Sequence, residues 1–204
     1  MSGEAIVFIV DDEEQVRSAL TLLMESVGLK SESFSSAQEY LDQFDGSKAG
    51  CLILDVRMPG LSGLDLQARL SVEIIHPPII IITGHGDVPM AVRAVTAGAV
   101  DFIEKPFNNQ SMLDNVHRAI EQDAKQRGET SRLQDIDRRY KELTPREKEV
   151  LQCVIEGKRN KIIASEMNIS QSTVEAHRSK VMDKMVAKTL SDLMRMALLL
   201  KLIK

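Results

Sequence analysis

The feature that most constrains the fold is an alternation of short apolar runs with helical patterns over residues 1–125. Between the runs, apolar residues recur every three or four positions, the spacing of one helix face. The runs are 5–10, 51–54, 79–82 and 100–103, with a weaker one at 31–34. Runs that are apolar on both faces and alternate with helices are typical of a parallel sheet covered by helices on both sides.

Polar side chains follow these runs at the points where the strands should end. The first long run ends in Asp11 and Asp12, the second in Asp55, the third in Thr83 and the fourth near Lys105. A lone aspartate after a strand is usually a turn or cap residue. In a parallel sheet, however, the carboxyl ends of the strands meet at one edge. The five side chains are therefore expected to converge.

Such a set of side chains indicates phosphoryl chemistry. Three carboxylates close together need a hard, oxygen-liganded cation, and Mg²⁺ is the expected ion on Asp11, Asp12 and Asp55. A carboxylate beside Mg²⁺ can attack a phosphoryl group in line and become an aspartyl-phosphate. Thr83 can then donate a hydrogen bond to one phosphoryl oxygen, while Lys105 contacts another.

Composition bounds the class of protein. Two cysteines, each within an apolar pattern, predict buried free thiols and a cytoplasmic location. The acidic N-terminus does not resemble a signal peptide, and no apolar run is long enough for a membrane span.

The charge is divided unevenly along the chain. Residues 1–125 carry 9 Lys+Arg against 19 Asp+Glu, whereas residues 141–204 carry 13 against 8. This asymmetry favours contact with a polyanion through the C-terminal part alone.

The C-terminal segment is predicted to be helical from its capping residues. Thr144, Pro145 and Glu147 form an N-cap, a first-turn proline and a capping box, and Thr189 with Asp192 repeats the pattern. Helices are expected over 144–157, 160–168 and 171–185, with a fourth from Thr189. Two helices joined by a tight turn in a basic segment indicate a helix-turn-helix.

The helix over 171–185 divides into two faces. Val174, His177, Val181 and Met185 should face the core. The opposite face combines small, hydrogen-bonding and cationic side chains, which suits a major groove, although a solvated helix face remains an alternative. The candidate DNA contacts, together with one lysine at the preceding helix start, are Lys161, Ser172, Thr173, Glu175, Ala176, Arg178, Ser179 and Lys180.

The segment between the two parts, 121–142, is rich in charge and has a short apolar seam of Leu133, Ile136, Tyr140 and Leu143. One interpretation is a helical linker that packs on its own domain, and the other is a partner helix in a dimer. Gly128 disfavours one unbroken helix, by about 1 kcal/mol relative to alanine.

The motifs "VDD", "DVRMPG", "TGHGD" and "EKPF" resemble the receiver domain of bacterial response regulators, and the wording around Thr83 and Lys105 is similar to the FixJ subfamily. The resemblance implies an α/β, flavodoxin-like receiver domain with a five-stranded parallel sheet in the order 2-1-3-4-5. It also implies a cis peptide bond before Pro106. It implies these roles: Asp55 as phosphoacceptor, Asp11 and Asp12 as metal-binding acids, Thr83 as switch hydroxyl, Lys105 as phosphoryl contact and Phe102 as switch aromatic.

The motifs "LTPREKEVL", "NKIIASEMNIS" and "TVEAHRSKVMDKM" are similar to the LuxR/NarL-type output domain, an all-α, four-helix helix-turn-helix domain that binds DNA as a dimer. The resemblance implies Glu175, Ala176 and Ser179 as base contacts. Position 175 is a glutamate where several relatives carry lysine, so the preferred base is open.

The predicted organisation is a receiver domain at 1–122, a helical linker at 123–141 and a DNA-binding domain at 142–204. We expect a transcriptional regulator rather than a turnover enzyme. The implied partners are a sensor histidine kinase, promoter DNA, RNA polymerase and a second copy of the chain on phosphorylation. Two alternatives are a phosphohydrolase with Asp55 as nucleophile and a relay that contacts RNA polymerase instead of DNA.

Arg57 and His85 each lie two residues beyond a predicted site residue. Both are expected to lean over the acidic edge and to influence how long a phosphoryl group on Asp55 survives, by controlling the approach of water. The alternative is that both are exposed loop residues without a kinetic role.

Overall fold

The computed structural model of the protein describes residues 5–73, 75–84 and 88–203. Its contacts divide the chain into two compact units, 1–127 and 128–204, which are taken separately below. The division falls inside the segment predicted as a linker. None of the helices in the described residues is long and apolar enough to cross a membrane.

The first unit contains a parallel sheet of five strands in the order β2-β1-β3-β4-β5, which confirms the predicted fold and order. The strands are β1 (Ile6–Val10), β2 (Lys30–Phe34), β3 (Gly50–Asp55), β4 (Ile79–Thr83) and β5 (Asp101–Glu104). In register, Val10 lies beside Leu54 and Asp55 lies beside Ile82. The ends of β1, β3 and β4 are therefore level, which brings the residues after them to one edge.

Helices connect the strands: α1 (Glu14–Ser26), α2 (Ala37–Gln43), α3 (Gly63–Leu70), α4 (Val88–Thr96) and α5 (Asn109–Lys141). Helix α2 was not predicted, because its seven residues are too few to show a clear period. It is held by Tyr40, which is 1% exposed and makes edge-on contacts with Phe8 and Phe34.

The central strands are apolar on both faces because each face covers a separate core. Phe8, Leu52 and Ile81 belong to one cluster of buried side chains. The next residues after Phe8 and Leu52 along their strands, Ile9 and Ile53, belong to a second cluster on the opposite face of the sheet. Burying one such side chain contributes about 1.5–3 kcal/mol, so these runs are the main source of stability in the unit.

Helix α5 is fastened to the start of β3 by a buried carboxylate and an arginine. The Asp123 carboxylate is nearly buried and accepts a hydrogen bond from the backbone N–H of Gly50 at 2.9 Å. Arg127 Nε donates to the same carboxylate, and the remaining guanidinium nitrogens donate to the carbonyls of Gly46 and Lys48 at 2.9 and 2.7 Å. We call this set of contacts the Asp123–Arg127 clamp.

The expectation that Gly128 would interrupt α5 was wrong, since the helix runs unbroken from Asn109 to Lys141. A glycine costs about 1 kcal/mol in a helix, and the ion pairs Asp123–Arg127 and Asp137–Lys141 stabilise the turns on either side. Ile136 adds burial in the core of the second unit, where Tyr140 also packs.

The described part of the second unit consists of the end of α5 and four helices: α6 (Pro145–Ile155), α7 (Asn160–Met167), α8 (Gln171–Met185) and α9 (Leu190–Leu199). Both predicted capping boxes are present, Thr144 with Glu147 and Thr189 with Asp192. The core contains Val150, Ile163 and Val181. Cys51 is buried as expected, but Cys153 is only half-buried, because it lies at the edge of the α6 core face.

The capping carboxylate of α6 also forms a buried ion pair. Glu147 accepts a hydrogen bond from Lys184 Nζ at 2.7 Å and from the Thr144 N–H at 2.8 Å. The contact with Lys184 and the backbone bond lower the pKa of this carboxyl, although burial opposes them. A lowered pKa stabilises the folded state above the ordinary pKa of glutamate, and this stabilisation is lost as the pH falls through the folded value.

We therefore predict that Glu147→Gln lowers the free energy of unfolding by about 1–2 kcal/mol at pH 7, and that the difference from the unsubstituted chain shrinks below about pH 4. The measurement is urea unfolding followed by Tyr140 fluorescence in a Tyr40→Phe background, since the chain has no tryptophan and only two tyrosines. Glu149→Gln is the matched control, because the Glu149 side chain is 52% exposed in its ion pair with Arg146. Equal losses in the two variants would contradict the prediction.

Candidate functional site

Two carboxylates and an ammonium meet at the carboxyl edge of the sheet. Lys105 Nζ lies 2.7 Å from Asp11 Oδ2 and 2.9 Å from Asp55 Oδ1. The side chains of Asp11 and Asp55 are 0% and 5% exposed, and that of Lys105 is 15% exposed. Of the five side chains predicted to converge, these three are shown in direct contact.

Backbone groups fix the second oxygen of each carboxylate. Asp11 Oδ1 accepts a hydrogen bond from the N–H of Glu13 at 2.9 Å, and Asp55 Oδ2 accepts one from the N–H of Arg57 at 2.7 Å. Each acid thus bonds its own turn with one oxygen and Lys105 with the other. Each aspartate is therefore both a turn residue, as a lone aspartate after a strand suggested, and a candidate functional acid.

The loop after Asp55 folds back onto its own backbone at Gly63. The Gly63 N–H donates to the carbonyl of Val56 at 3.0 Å. A Cβ atom on Gly63 would lie 2.1 Å from the backbone oxygen of Asp55. Only glycine permits this close approach, so Gly63 is part of what positions the acid.

Lys105 is placed by the end of β5. Its N–H donates to the carbonyl of Thr83 at 2.7 Å, and its peptide bond to Pro106 is cis, as the resemblance implied. Thr83 itself is fully buried at the end of β4. Phe102 is half-buried in β5 opposite Ile81 and packs against a core cluster. Both predicted switch residues therefore lie on the two neighbouring strands that end at the acidic edge.

The other predicted residues near this edge differ in their surroundings. The Asp12 side chain is exposed, and its carbonyl accepts a hydrogen bond from Arg17, which also bonds the Asp11 carbonyl. The Arg57 side chain is exposed. His85 lies outside the described residues.

The electrostatics of the edge follow from burial. Burial raises the pKa of the Asp55 carboxyl, and the neighbouring Asp11 charge adds to this, while the hydrogen bond from Lys105 opposes it. Burial alone would lower the pKa of Lys105, but its bonds to Asp11 and Asp55 outweigh burial and raise it. Lys105 is therefore held in its cationic form and offsets part of the negative charge of the two acids. Over 5–73, 75–84 and 88–203, no group of three or more His, Cys, Asp or Glu side chains is arranged to hold a metal ion.

The second candidate site is the outer face of α8. Val174, Val181 and Met185 are buried as predicted, whereas His177 is only half-buried. Its Nδ1 atom is buried without a hydrogen-bond partner among the described residues. Every candidate DNA contact except Arg178 is exposed: Lys161, Ser172, Thr173, Glu175, Ala176, Ser179 and Lys180.

Arg178 is the exception, and it leads to a residue that was not predicted. Arg178 is half-buried, and its Nη1 donates to Asn160 Oδ1 at 2.9 Å. Asn160 Nδ2 in turn donates to Glu175 Oε1 at 3.4 Å. Asn160 begins α7, and no spacing in the sequence relates it to α8, because the contact exists only once the two helices pack.

Comparison with known proteins gives the same two parts. Residues 7–117 match the model of the response regulator receiver domain, and residues 141–197 match that of bacterial regulatory proteins of the luxR family. Nodulation protein W of Bradyrhizobium diazoefficiens is 47% identical over 196 residues, covering 96% of this chain and 86% of that protein. The transcriptional regulatory protein FixJ of Rhizobium meliloti is 45% identical and covers 94% of each chain.

Solved structures are also similar. The structure of the response regulator StyR superposes with a TM-score of 0.88 at 39% identity, covering 96% of this chain and 98% of that one. Full-length FixJ from B. japonicum gives a TM-score of 0.57 at 40% identity, covering 98% and 99%.

The close approach at Gly63 gives a direct test of the site's construction. Gly63→Ala should destabilise the first unit by about 1–3 kcal/mol, because the new methyl group must displace the backbone of Asp55. Gly84→Ala is the control, since a Cβ there meets no atom of the described residues within 4 Å. Differential scanning calorimetry measures both, and equal melting temperatures for the two variants would count against a steric role of Gly63.

Proposed function

The chain belongs to the two-component response regulators of the FixJ subfamily, and from this membership we propose that phosphoryl transfer to Asp55 controls its binding to promoter DNA. Its receiver domain and LuxR-family DNA-binding domain make it a phosphorylation-regulated transcription regulator rather than a turnover enzyme. The observation that carries the finer proposal is the contact of Asp55 with Lys105 beside a second buried acid, Asp11.

In the proposed reaction, a carboxylate oxygen of Asp55 attacks the phosphorus of a phosphohistidine on the sensor kinase. The new P–O bond forms as the P–N bond breaks, and the imidazole leaves with the bonding electron pair. Lys105, already cationic at the acceptor, contacts one phosphoryl oxygen, and the Thr83 hydroxyl contacts another. The backbone bond to Arg57 holds the acid in place during the attack.

The donor set at this edge suits Mg²⁺. The ion keeps most of its waters and uses few carboxylates, and Asp11 and Asp55 supply hard oxygen ligands already oriented by backbone N–H groups. Asp12, exposed directly after Asp11, would contact the ion through one of its waters, since no group of three acids in the described residues is arranged to hold a metal ion directly. When bound, Mg²⁺ would neutralise charge on the transferring phosphoryl group.

The switch we propose runs through β4 and β5. Engagement of the Thr83 hydroxyl by the phosphoryl group would change packing next to Phe102 on the neighbouring strand. Helix α4, between these strands in sequence, exposes an apolar row: Val88, Val92 and Val95 are 77%, 58% and 55% exposed. Such a row supports dimerisation of the phosphorylated chain.

The exposed face of α8 is proposed to enter the major groove. Lys161 and Lys180 would contact phosphates, whereas Ser172, Thr173, Glu175, Ala176 and Ser179 would face base edges and the adjoining backbone. Contact with RNA polymerase follows from the proposed role in transcription. Arg57, exposed directly after the acceptor, remains a candidate for setting the lifetime of the phosphoryl group, together with His85.

Asp55→Asn should abolish labelling by acetyl phosphate with Mg²⁺, because an amide is not a nucleophile toward phosphorus, while the shape of the side chain is kept. Intact-protein mass spectrometry detects the phosphoryl group. Asp42→Asn is the control at an exposed helical acid. Labelling of Asp55→Asn at the rate of the unsubstituted chain would rule out Asp55 as the acceptor.

Lys180→Ala should weaken binding to all DNA sequences alike and lower the slope of log affinity against log salt by about one. Lys141→Ala, which removes an exposed lysine from α5, is expected to leave the slope unchanged. Titrations at several salt concentrations measure this, and a loss confined to one DNA sequence would contradict a phosphate contact.

A further inference from the structure

Asn160 joins the two helices of the helix-turn-helix through a pair of side-chain bonds. It is half-buried at the start of α7, and both of its partners lie on α8. Its Oδ1 accepts from Arg178 Nη1 at 2.9 Å, and its Nδ2 donates to Glu175 Oε1 at 3.4 Å. Three side chains thus form a row from guanidinium to amide to carboxylate.

The chemistry of the row requires an amide at its centre. A guanidinium only donates and an ionised carboxylate only accepts, so the residue between them must accept on one side and donate on the other. Asparagine does both, whereas aspartate would accept from Arg178 but repel Glu175. Because each partner can bond only one end of the amide, the row also fixes which way the amide points.

Arg178 holds the other end of the row. Its side chain is half-buried and lines a small apolar recess with Val150, Val181 and Leu193. The hydrogen bond to Asn160 holds its guanidinium against α7. Arg178 therefore orients Asn160, although its position beside the exposed face had suggested a phosphate contact. Glu175 is the exposed end of the row, on the face that meets DNA in the proposed function.

We propose that Asn160 is a positioning residue that sets base preference by holding the Glu175 carboxylate in one conformation, an inference that rests on the proposed DNA-binding function. A carboxylate in the major groove accepts a hydrogen bond from cytosine N4. An unrestrained glutamate has several rotamers and must be ordered on binding, whereas one held by Asn160 is already oriented. The 3.4 Å contact is long, so its effect on discrimination is modest.

The experiment is selection of bound DNA from a random pool by the phosphorylated full-length chain. Substituted chains are compared with the unsubstituted one, and Glu175→Ala identifies the base position that Glu175 reads. At that position, Asn160→Asp should reduce discrimination between the best and second-best base by about three- to tenfold, and other positions should be unchanged. Asn160→Ala removes both hydrogen bonds and should cause the same loss of discrimination at that position. It replaces Asn160→Asp in the experiment if the aspartate variant does not fold.

Two further variants separate positioning from charge. Ser165→Asp adds the same negative charge at an exposed position of α7, the helix that begins with Asn160. It should leave discrimination at the Glu175 position intact, and any loss of affinity should be equal for all sequences. In Asn160→Asp/Glu175→Gln, the new amide at 175 can donate to the new carboxylate at 160. Discrimination between bases at the Glu175 position should then be restored, with the preferred base changed from cytosine to adenine, because a glutamine amide hydrogen-bonds adenine.

The possible outcomes distinguish a failure of the positioning role of Asn160 from a failure of the proposed DNA-binding function. If the unsubstituted chain enriches no sequence, the proposed DNA-binding function fails. Suppose instead that the unsubstituted chain enriches a sequence and that Glu175→Ala loses the base preference at one position of it. If both Asn160 variants then keep discrimination at that position within about twofold of the unsubstituted chain, the positioning role is overturned. A uniform loss of affinity in those variants with unchanged base preference overturns it equally. The positioning role is supported if Asn160→Asp loses base preference only at the Glu175 position and Asn160→Asp/Glu175→Gln restores a preference there.

Discussion

The ammonium of Lys105 is the interaction on which the first unit's site depends. It lies within hydrogen-bond distance of two carboxylates that are almost removed from water. Without a cation, burial would favour protonation of these acids, and a protonated carboxyl is a poor nucleophile. The sheet supplies the rest of the arrangement. Asp11 directly follows β1, Asp55 is the last residue of the neighbouring strand β3, and Lys105 directly follows β5, from where it reaches both acids. The acid is thus buried beside a cation that opposes the rise of its pKa.

The second unit depends on local signals at helix ends and on one packed core. Its capping boxes are readable in the sequence, because a side chain and a backbone N–H three residues apart form each of them. They determine where α6 and α9 begin. The buried ion pair of Glu147 with Lys184 links the first of these caps to the far end of α8. The orientation of α8 is therefore tied to the start of α6, although no sequence motif links the two positions.

This difference explains what could be predicted. Asp11, Asp55 and Lys105 were found because parallel strands put all their carboxyl ends at one edge, so order along the chain was sufficient. Tyr40 and α2, in contrast, are held by aromatic contacts between separate elements, which no short period reveals. Asn160 was missed for the same reason. The effect of Gly128 was overestimated, because the helix propensity of one residue is small compared with the packing that stabilises the rest of α5. Contacts that depend on how two elements pack remain invisible until the elements are in place.

The Asp123–Arg127 clamp has a consequence for dividing the protein into pieces. A fragment ending at residue 122, where motif resemblance ends the first domain, would lack both clamp side chains. The N–H of Gly50 and the carbonyls of Gly46 and Lys48 would lose their partners at the beginning of β3, the strand that carries Asp55 at its other end. Cutting after Arg127 keeps those bonds. In the shorter fragment, the start of β3 would be less firmly held than in the full chain. Phosphorylation rates measured on that fragment would therefore differ from those of the full-length protein.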